Sequence, residues 1–345
     1  MTTTTYSAVR AAADATFAHV QLSRRDPEAG QVRVAVEACG VCHSDVAGIY
    51  NLLGNRPADE PVVPGHEVIG RIDALGERVT DWSVGQRVGI GYLGGHCGVC
   101  DSCQRGDFVY CLNQPILGDG QEGGYAESVI VRERGLVAVP DGIPASTLAP
   151  LMCAGLTMYN ALRISGAQTG DLVAIQGVGG LGHLGIQYAK AMGFRVAAIA
   201  RGTAKEGLAT ELGADHYIDS TAVDPAEALQ QIGTARAIVA TASHGGSMSG
   251  LIDGLGHHGT LVVVGAALEP IEVSTPSLIF GGRSIVGTLT GTPEDNAANI
   301  AFALEHGITP MVESVPLAQA DAAFKRMMSG DARFRMVLEV APLAA

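Results

Sequence analysis

The densest chemistry in this 345-residue sequence lies in HCGVCDSCQRGDFVYC, His96 to Cys111, which holds four of the seven cysteines. The spacing is Cys97-x2-Cys100-x2-Cys103-x7-Cys111. A tight Cys-x2-Cys turn offers a metal two thiolates at little cost in loop closure. Ferredoxin clusters open the same way but place the next Cys after three residues, followed by proline. Here seven residues intervene and Leu112 follows. The spacing therefore favours a structural zinc over an iron–sulfur cluster or free thiols. Four thiolates close a zinc shell, so any reaction must take place elsewhere.

Three other segments carry reactive residue types. CGVCHSD holds Cys39, Cys42, His43, Ser44 and Asp45, VVPGHEVIG holds His66 and Glu67, and APLMCAGLT holds Cys153. Cys42, His66 and Cys153 would make a Cys2His set, one of the catalytic zinc sets, with a fourth position open. No local pattern links ligands so far apart in the chain. For each of them a packed thiol or a hydrogen-bonded core imidazole stays open. A further signal is VAIQGVGGLGHLG, where Gly177-x-Gly179-x-x-Gly182 follows an apolar run and opens a helix-periodic one. That is the setting of a dinucleotide fingerprint: a tight turn, close backbone approach to a pyrophosphate, and a helix N-terminus facing it.

The elements that must position these residues come from the texture of the chain. At 345 residues two domains are expected. Up to about residue 150 the sequence reads as short strands (QVRVAVEACG, EVIGRIDALG, QRVGIGY, YAESVIVRE, GLVAVP) separated by Gly, Asp and Pro. From about Leu156, DLVAIQG, RVAAIA, HYID, ARAIVATA and GTLVVVG alternate with LGHLGIQYAKAMG and KEGLATELGA, which predicts a parallel sheet flanked by helices. Past Thr288 come two helical stretches, DNAANIAFALEHG and LAQADAAFKRMMSG, and a closing strand, FRMVLEV. Glycine, at 46 residues, is about twice its usual share and sits mostly at the ends of apolar runs. No apolar run is long enough for a membrane span, and MTTTTYSAVRAAADATF lacks the plan of a signal peptide. A reducing, cytoplasmic setting is expected, which disfavours disulfides. The formal net charge of −13 argues against nucleic acid as a partner.

Taken together, GVCHSD, PGHEVIG, the four-cysteine loop, CAGLT, GVGGLGHLGIQYAKAMG and SIVGT resemble, in this order, the zinc-dependent alcohol dehydrogenases of the medium-chain dehydrogenase/reductase superfamily. The resemblance runs from about Gln31 to Val340. It implies an α/β two-domain protein: a GroES-like β-rich catalytic domain over 1–154, with a zinc lobe at about 94–113, and a Rossmann doubly wound parallel sheet over 155–288. Residues 289–345 would return to the catalytic domain. It further implies two zinc ions per chain. Cys42, His66 and Cys153 match the catalytic ligands, and Cys97, Cys100, Cys103 and Cys111 the structural ones. Glu67 matches a carboxylate near the metal, and Asp45 an acid that orients the ligating imidazole. Ser44 matches a hydroxyl that shuttles the alcohol proton. Many relatives pass that proton to a histidine three residues on, where this chain has Ala47. By the same resemblance His43, Thr157, Gly177, Gly179, Gly180, Leu181, Gly182 and Arg335 contact the cofactor, Arg335 near its pyrophosphate. Cys39 is left as a packed thiol.

The implied reaction is reversible hydride transfer between a nicotinamide and an alcohol or carbonyl whose oxygen zinc polarises. NAD enzymes place an acid about twenty residues past the fingerprint to bind the ribose hydroxyls. Here Ala200 occupies that place, with Arg201 and Lys205 following, so NADP(H) is favoured over NAD(H). Tyr50, Tyr92 and Leu93 are the expected substrate-pocket residues, for a primary alcohol or an aldehyde by default. Two rivals stay open. One is a reductase of C=C or C=N bonds on the same scaffold; the other is a non-catalytic protein using the cysteine lobe as a nucleic-acid finger, against which the acidic charge speaks. A homodimer or homotetramer is expected by analogy with the family.

Overall fold

The computed structural model describes residues 5–341. They divide into two compact units: the chain up to Cys153 with Gly291–Ala301 and everything from Pro310 on, and Ala154–Thr290 with Phe302–Thr309.

The first unit is built around the long strand Gln31–Val41. Alternate residues Val32, Val34 and Val36 are buried, as a half-buried strand requires. Along one edge it pairs antiparallel with Glu67–Leu75. The other edge is shared, Gln31–Ala35 pairing with Ser128–Arg132 and Ala38–Val41 with the C-terminal strand Arg335–Glu339. Arg87–Ile90 and Leu136–Ala138 extend the sheet one way, and Val312–Pro316 the other. The hairpin Thr5–Ala11/Phe17–Ser23 lies outside this sheet. It joins the unit through backbone bonds from Val9 N–H to the Tyr125 carbonyl and from Ala11 N–H to the Val62 carbonyl, both 2.8 Å. Val34, Val68, Ile72, Val88, Ile90 and Leu338 are among the core side chains.

The second unit is a six-stranded, fully parallel sheet. Its order is His216–Asp219, Arg195–Ala200, Leu172–Gln176, Ala235–Ala240, Leu255–Val263, Ser284–Gly287. Counted from its own first strand this is 3-2-1-4-5-6, the Rossmann order. The central strands Leu172–Gln176 and Ala235–Ala240 are buried at nearly every position, which is why they read as unbroken apolar runs rather than alternating ones. The order reverses between these two strands, and nucleotides bind beyond the carboxyl ends of strands at such a point.

The hairpin, the helices Ala154–Ile164 and Thr275–Gly281, and the edge strand Val312–Pro316 are additions to the elements expected from sequence. Among the described residues no helix is long and apolar enough to cross a membrane.

Candidate active site and metal centres

The four lobe cysteines converge. Their sulfurs lie 3.5 Å apart for Cys100–Cys103, 4.0 Å for Cys97–Cys103 and 3.9 Å for Cys100–Cys111. A disulfide needs about 2 Å. Four sulfurs placed about 2.3 Å from a shared tetrahedral centre stand about 3.8 Å apart, so the cage fits zinc. The cage is also lined with donors. The backbone N–H groups of Cys97 and Asn113 point at Cys111 Sγ, at 3.3 and 3.4 Å, and the Asn113 amide donates to Cys97 Sγ at 3.5 Å. The Asn113 side chain leads the groups that bring the Cys97 thiol down to about 5, while burial pushes Cys103 up to about 11. Backbone N–H donors lower the Cys100 thiol too, so the cage favours thiolate at two of its positions while burial opposes it at Cys103.

A second set joins Cys42, His66, Glu67 and Cys153, whose ligand atoms all lie within 4.8 Å of one another and are all buried. Cys42 follows directly on the strand Gln31–Val41, and His66 directly precedes its neighbour Glu67–Leu75. Cys153 ends the short 3-10 turn Ala149–Met152. That turn is tied to the C-terminal part of the unit, where Asn299 Nδ2 donates to the Leu151 carbonyl at 3.0 Å and to Asn296 Oδ1 at 2.9 Å. His66 Nε2 is buried without a protein hydrogen-bond partner, while Nδ1 faces Asp45 Oδ1 at 2.9 Å. A buried imidazole nitrogen with no partner, beside two thiols, is what a metal would satisfy. Electrostatics agree. The hydrogen bond from Cys153, then the charges of Arg335 and His66, hold the Cys42 thiol well below its ordinary value despite burial. Burial works against a proton on His66, yet Asp45 and Cys42 outweigh it and hold the ring well above its ordinary value. The pocket calls for positive charge, in the form of a proton or a metal.

Asp45 organises this set. Its Oδ2 accepts from the Cys42 backbone N–H and from the Tyr125 hydroxyl, each at 2.9 Å, while its other oxygen faces His66. Tyr125 is fully buried and was not singled out from the sequence, where it reads as the start of a strand. Glycines bring it there. A Cβ on Gly65 (φ +101°) would stand 2.4 Å from the Tyr125 ring, and one on Gly123 would stand 2.4 Å from the Gly65 carbonyl. With both lacking side chains, the segment before His66 lies flat against the one carrying Tyr125, bonded through Gly124 N–H to the Gly65 carbonyl and Tyr125 N–H to the Pro64 carbonyl.

Glu67 and Arg335 form a buried ion pair beside the same cluster. Arg335 is neither a solvated strand end nor wholly free for a pyrophosphate, since the pair with Glu67 occupies one end of its guanidinium. Gly40, opposite Glu67 in the sheet register, makes room: a Cβ there would stand 1.9 Å from Glu67 Oε2. Burial pushes the Glu67 carboxyl up to about 7, against the opposing pull of Arg335.

Among the expected pocket residues, the Tyr92 ring meets His66 edge-on, with centroids 5.0 Å apart. Leu93 is buried and Tyr50 is exposed. His43 and Ser44 are exposed, and Ala47 lies one helical turn past Ser44.

In the second unit Gly177 (φ +92°) turns the chain at the end of the first strand, and a Cβ on Gly182 would stand 1.6 Å from the Gly177 carbonyl oxygen. A Cβ on Gly179 would meet no protein atom within 4 Å, so glycine there leaves space outside the protein, as a closely approaching ligand needs. Gly180 and Leu181 complete the turn ahead of the helix Gly182–Ala191, and Thr157 is buried in the helix Ala154–Ile164. Past Ala200, Arg201 is exposed and Lys205 Nζ donates to the Val178 carbonyl at 2.7 Å. Asp219, the nearest acid on the adjoining strand, is occupied by the loop itself: it accepts from Gly202 N–H at 2.7 Å and from Thr221.

Residues 28–141 match the family described as Alcohol dehydrogenase GroES-like domain, and residues 180–336 the one described as Zinc-binding dehydrogenase. The Alcohol dehydrogenase notN of Aspergillus sp. (strain MF297-2) is 45% identical over 316 residues, 90% of this chain and 91% of that protein. Among solved structures, the cinnamyl alcohol dehydrogenase SbCAD4 of Sorghum bicolor superposes with a TM-score of 0.87 at 33% identity, covering 97% of this chain and 98% of that one. The CAD of Helicobacter pylori, in complex with NADP(H), gives a TM-score of 0.85 at 26% identity, with 98% of each chain covered. The chain belongs to the zinc-type alcohol dehydrogenases of the medium-chain dehydrogenase/reductase superfamily.

For an alcohol dehydrogenase of this kind the two clusters differ in an instructive way. The lobe offers four thiols and nothing else, a closed shell. The buried cluster offers two thiols, one imidazole nitrogen and a carboxylate paired with Arg335 through one of its oxygens.

Two outcomes follow for this alcohol dehydrogenase. The purified enzyme should hold two zinc ions per chain by elemental analysis. Cys100→Ser should retain one and melt several degrees lower, and an unchanged zinc content would remove the lobe as a metal site. Tyr125→Phe should loosen zinc at the buried cluster about tenfold, read as faster release to a chelator in the phase that Cys100→Ser leaves intact. In an Asp45→Asn background the same change should add nothing, because Tyr125 acts through Asp45. An equal loss in both backgrounds would reduce Tyr125 to packing.

Proposed function

We propose that this alcohol dehydrogenase interconverts small primary alcohols and aldehydes, with NADP(H) preferred over NAD(H) and a catalytic zinc held by Cys42, His66 and Cys153. The observation that carries the reading is the buried three-ligand set whose His66 Nε2 has no protein partner. When bound, zinc supplies the Lewis acidity that polarises an alcohol or carbonyl oxygen, and the nicotinamide gives or takes the hydride.

The chain's own residues do the rest. Asp45 holds the His66 ring by Nδ1, leaving Nε2 to face the metal. Glu67, fixed by Arg335 and seated over Gly40, keeps a second oxygen, Oε2, buried without a partner at the cluster. Tyr92 walls the cluster beside His66, and Tyr50 and Leu93 are the further pocket residues. Ser44, exposed at the start of the helix Asp45–Ile49, carries the alcohol proton to solvent. Ala47 stands at i+3 on the same helix, so water or a cofactor ribose hydroxyl receives the proton that a histidine takes in many relatives.

For the cofactor, Gly177, Gly179, Gly180, Leu181 and Gly182 cradle the pyrophosphate, with His43, Thr157 and the unpartnered Nε of Arg335 as further contacts. The NADP(H) preference rests on Ala200 and Arg201. No carboxylate stands where it would repel a 2′-phosphate, Arg201 is exposed for one, and Asp219 is spent on the loop backbone. NAD(H) is the competing cofactor. A cytoplasmic homodimer or homotetramer is part of the proposal.

Arg201→Ala should raise KM for NADPH about tenfold and leave KM for NADH within about twofold, the loss of one charge-assisted contact. Equal shifts for both would discard the NADP(H) reading while keeping the enzyme. Ser44→Ala should lower kcat about a hundredfold for aldehyde reduction, the low end of general acid–base contributions. Ala47→His should move the acid limb of the pH–rate profile, and an unmoved profile would deny that position a part in proton transfer.

A further inference from the structure

Far in kind from the metal cluster, the first unit has a cavity of about 330 Å³ between the N-terminal hairpin and the strands Gln31–Val41 and Ser128–Arg132. Its walls hold four arginines, Arg10, Arg24, Arg25 and Arg33, and a single acid, Glu122. The chain as a whole has 22 Lys and Arg against 35 Asp and Glu, so this concentration of guanidinium runs against the bulk charge.

The ion pairs around the cavity show which of these charges are already used. Arg33 is consumed by the fold: Nε donates to Asp73 at 2.7 Å, and Nη1 to the Arg25 carbonyl at 2.9 Å and to Asp26 at 3.3 Å. Arg24 shares Asp73 through one terminal nitrogen, and Arg10 meets Glu122 through one. The other Glu122 oxygen takes the Val63 N–H at 2.7 Å. Donors are left over. Arg10 and Arg24 each meet their acid through a single terminal nitrogen and keep 32% and 25% of the side chain exposed, and Arg25 is exposed with no carboxylate partner among the described residues. Burial and then the Glu122 charge hold the Tyr6 phenol in the same wall above its ordinary value, against the pull of Arg25 and Arg10. The rest of the lining mixes apolar Leu22, Val129 and Ile130 with polar Ser23, Gln121 and Ser128.

We infer that this cavity is a binding site for a short aliphatic dicarboxylate. Guanidinium groups recognise carboxylates through paired N–H donors, and here such donors stand on separate side chains around one cavity. One carboxylate engages Arg25 and the other the unused edges of Arg10 and Arg24, with the methylenes against Leu22 and Val129. A volume near 330 Å³ is at the small end of ligand pockets and suits a compact molecule. A monocarboxylate satisfies only one end. No residue proposed for hydride transfer lines the cavity, so binding here is separable from catalysis.

The test is calorimetric titration of the full-length, zinc-loaded enzyme with glutarate, acetate and inorganic phosphate at matched ionic strength, which holds nonspecific screening constant. The expected result is saturable, submillimolar glutarate binding with no saturable acetate binding. Arg25→Ala, which removes an exposed side chain and keeps the carbonyl that Arg33 uses, should weaken glutarate about tenfold and leave turnover unchanged. Glu122→Gln, which keeps an acceptor for Val63 N–H and removes the one negative wall charge, should tighten it. The inference fails if glutarate does not saturate, if Arg25→Ala binds it as well as the parent, or if acetate matches it. Saturable phosphate with no glutarate binding would overturn the dicarboxylate assignment.

Discussion

The metal cluster depends on how the last residues of the strand Gln31–Val41 are flanked. Gly40 lies between Glu67 on one side and Val337 on the other, and the Glu67–Arg335 pair closes over it. Both charges are buried, so each is tolerable only because of the other, and removing either would strand an uncompensated ion. The pair therefore fixes register as well as charge. It couples a residue beside His66 to one near the end of the chain, and holds both against the strand that delivers Cys42. A side chain at position 40 could not coexist with it, since even a Cβ would overlap the Glu67 carboxylate. The C-terminal segment thus belongs to the architecture of the buried cluster although it supplies none of its four possible ligands.

A second constraint acts from behind. Asp45 accepts two hydrogen bonds on one oxygen and faces His66 with the other, so it can hold the imidazole only while Tyr125 and the Cys42 backbone hold it. That arrangement needs close backbone contact between residues 63–65 and 123–125, which glycine permits at Gly65, Gly123 and Gly124. Much of the unusual glycine content of this unit goes into such close approach, beyond the turns that sequence reading assigns it to.

Local chemistry was easy to read and assembled chemistry was not. The lobe cysteines are within one loop, so their spacing alone pointed to a metal cage. The strand Gln31–Val41, the parallel sheet and the fingerprint turn were legible because burial on one face or on two leaves distinct periodicities. Residue types make Cys42, His66 and Cys153 a possible Cys2His set, but only the resemblance selects it over packed side chains, because sheet pairing and a 3-10 turn bring them together and no spacing rule encodes that. Tyr125 escaped notice because an aromatic residue at the start of a strand has an ordinary place in a core, and only its hydroxyl's partner sets it apart. Of the arginines of the N-terminal cavity, Arg10 lies in the hairpin, Arg24 and Arg25 just past it and Arg33 in the strand Gln31–Val41, and periodicity alone does not show that the hairpin gathers them around one cavity. Arg335 was noticed for its position, but its buried partner could not be seen without the sheet register.

The nucleotide half follows a similar logic with opposite charge. A loop following the second strand of a Rossmann sheet needs something to hold it, and an acid at its start can do so while also binding ribose. Here Ala200 cannot, and the load passes to neighbours: Asp219 takes the Gly202 N–H, the Tyr217 hydroxyl donates to the Gly202 carbonyl at 2.6 Å, and Lys205 reaches back to Val178 in the glycine turn. The carboxylate that shapes the loop is thereby turned towards the backbone, its charge absorbed by N–H and hydroxyl donors. Arg201 is left as the exposed charge of the loop. With the loop's order secured by Asp219, Tyr217 and Lys205, Arg201 is relieved of structural duty, and a change there would leave the loop intact.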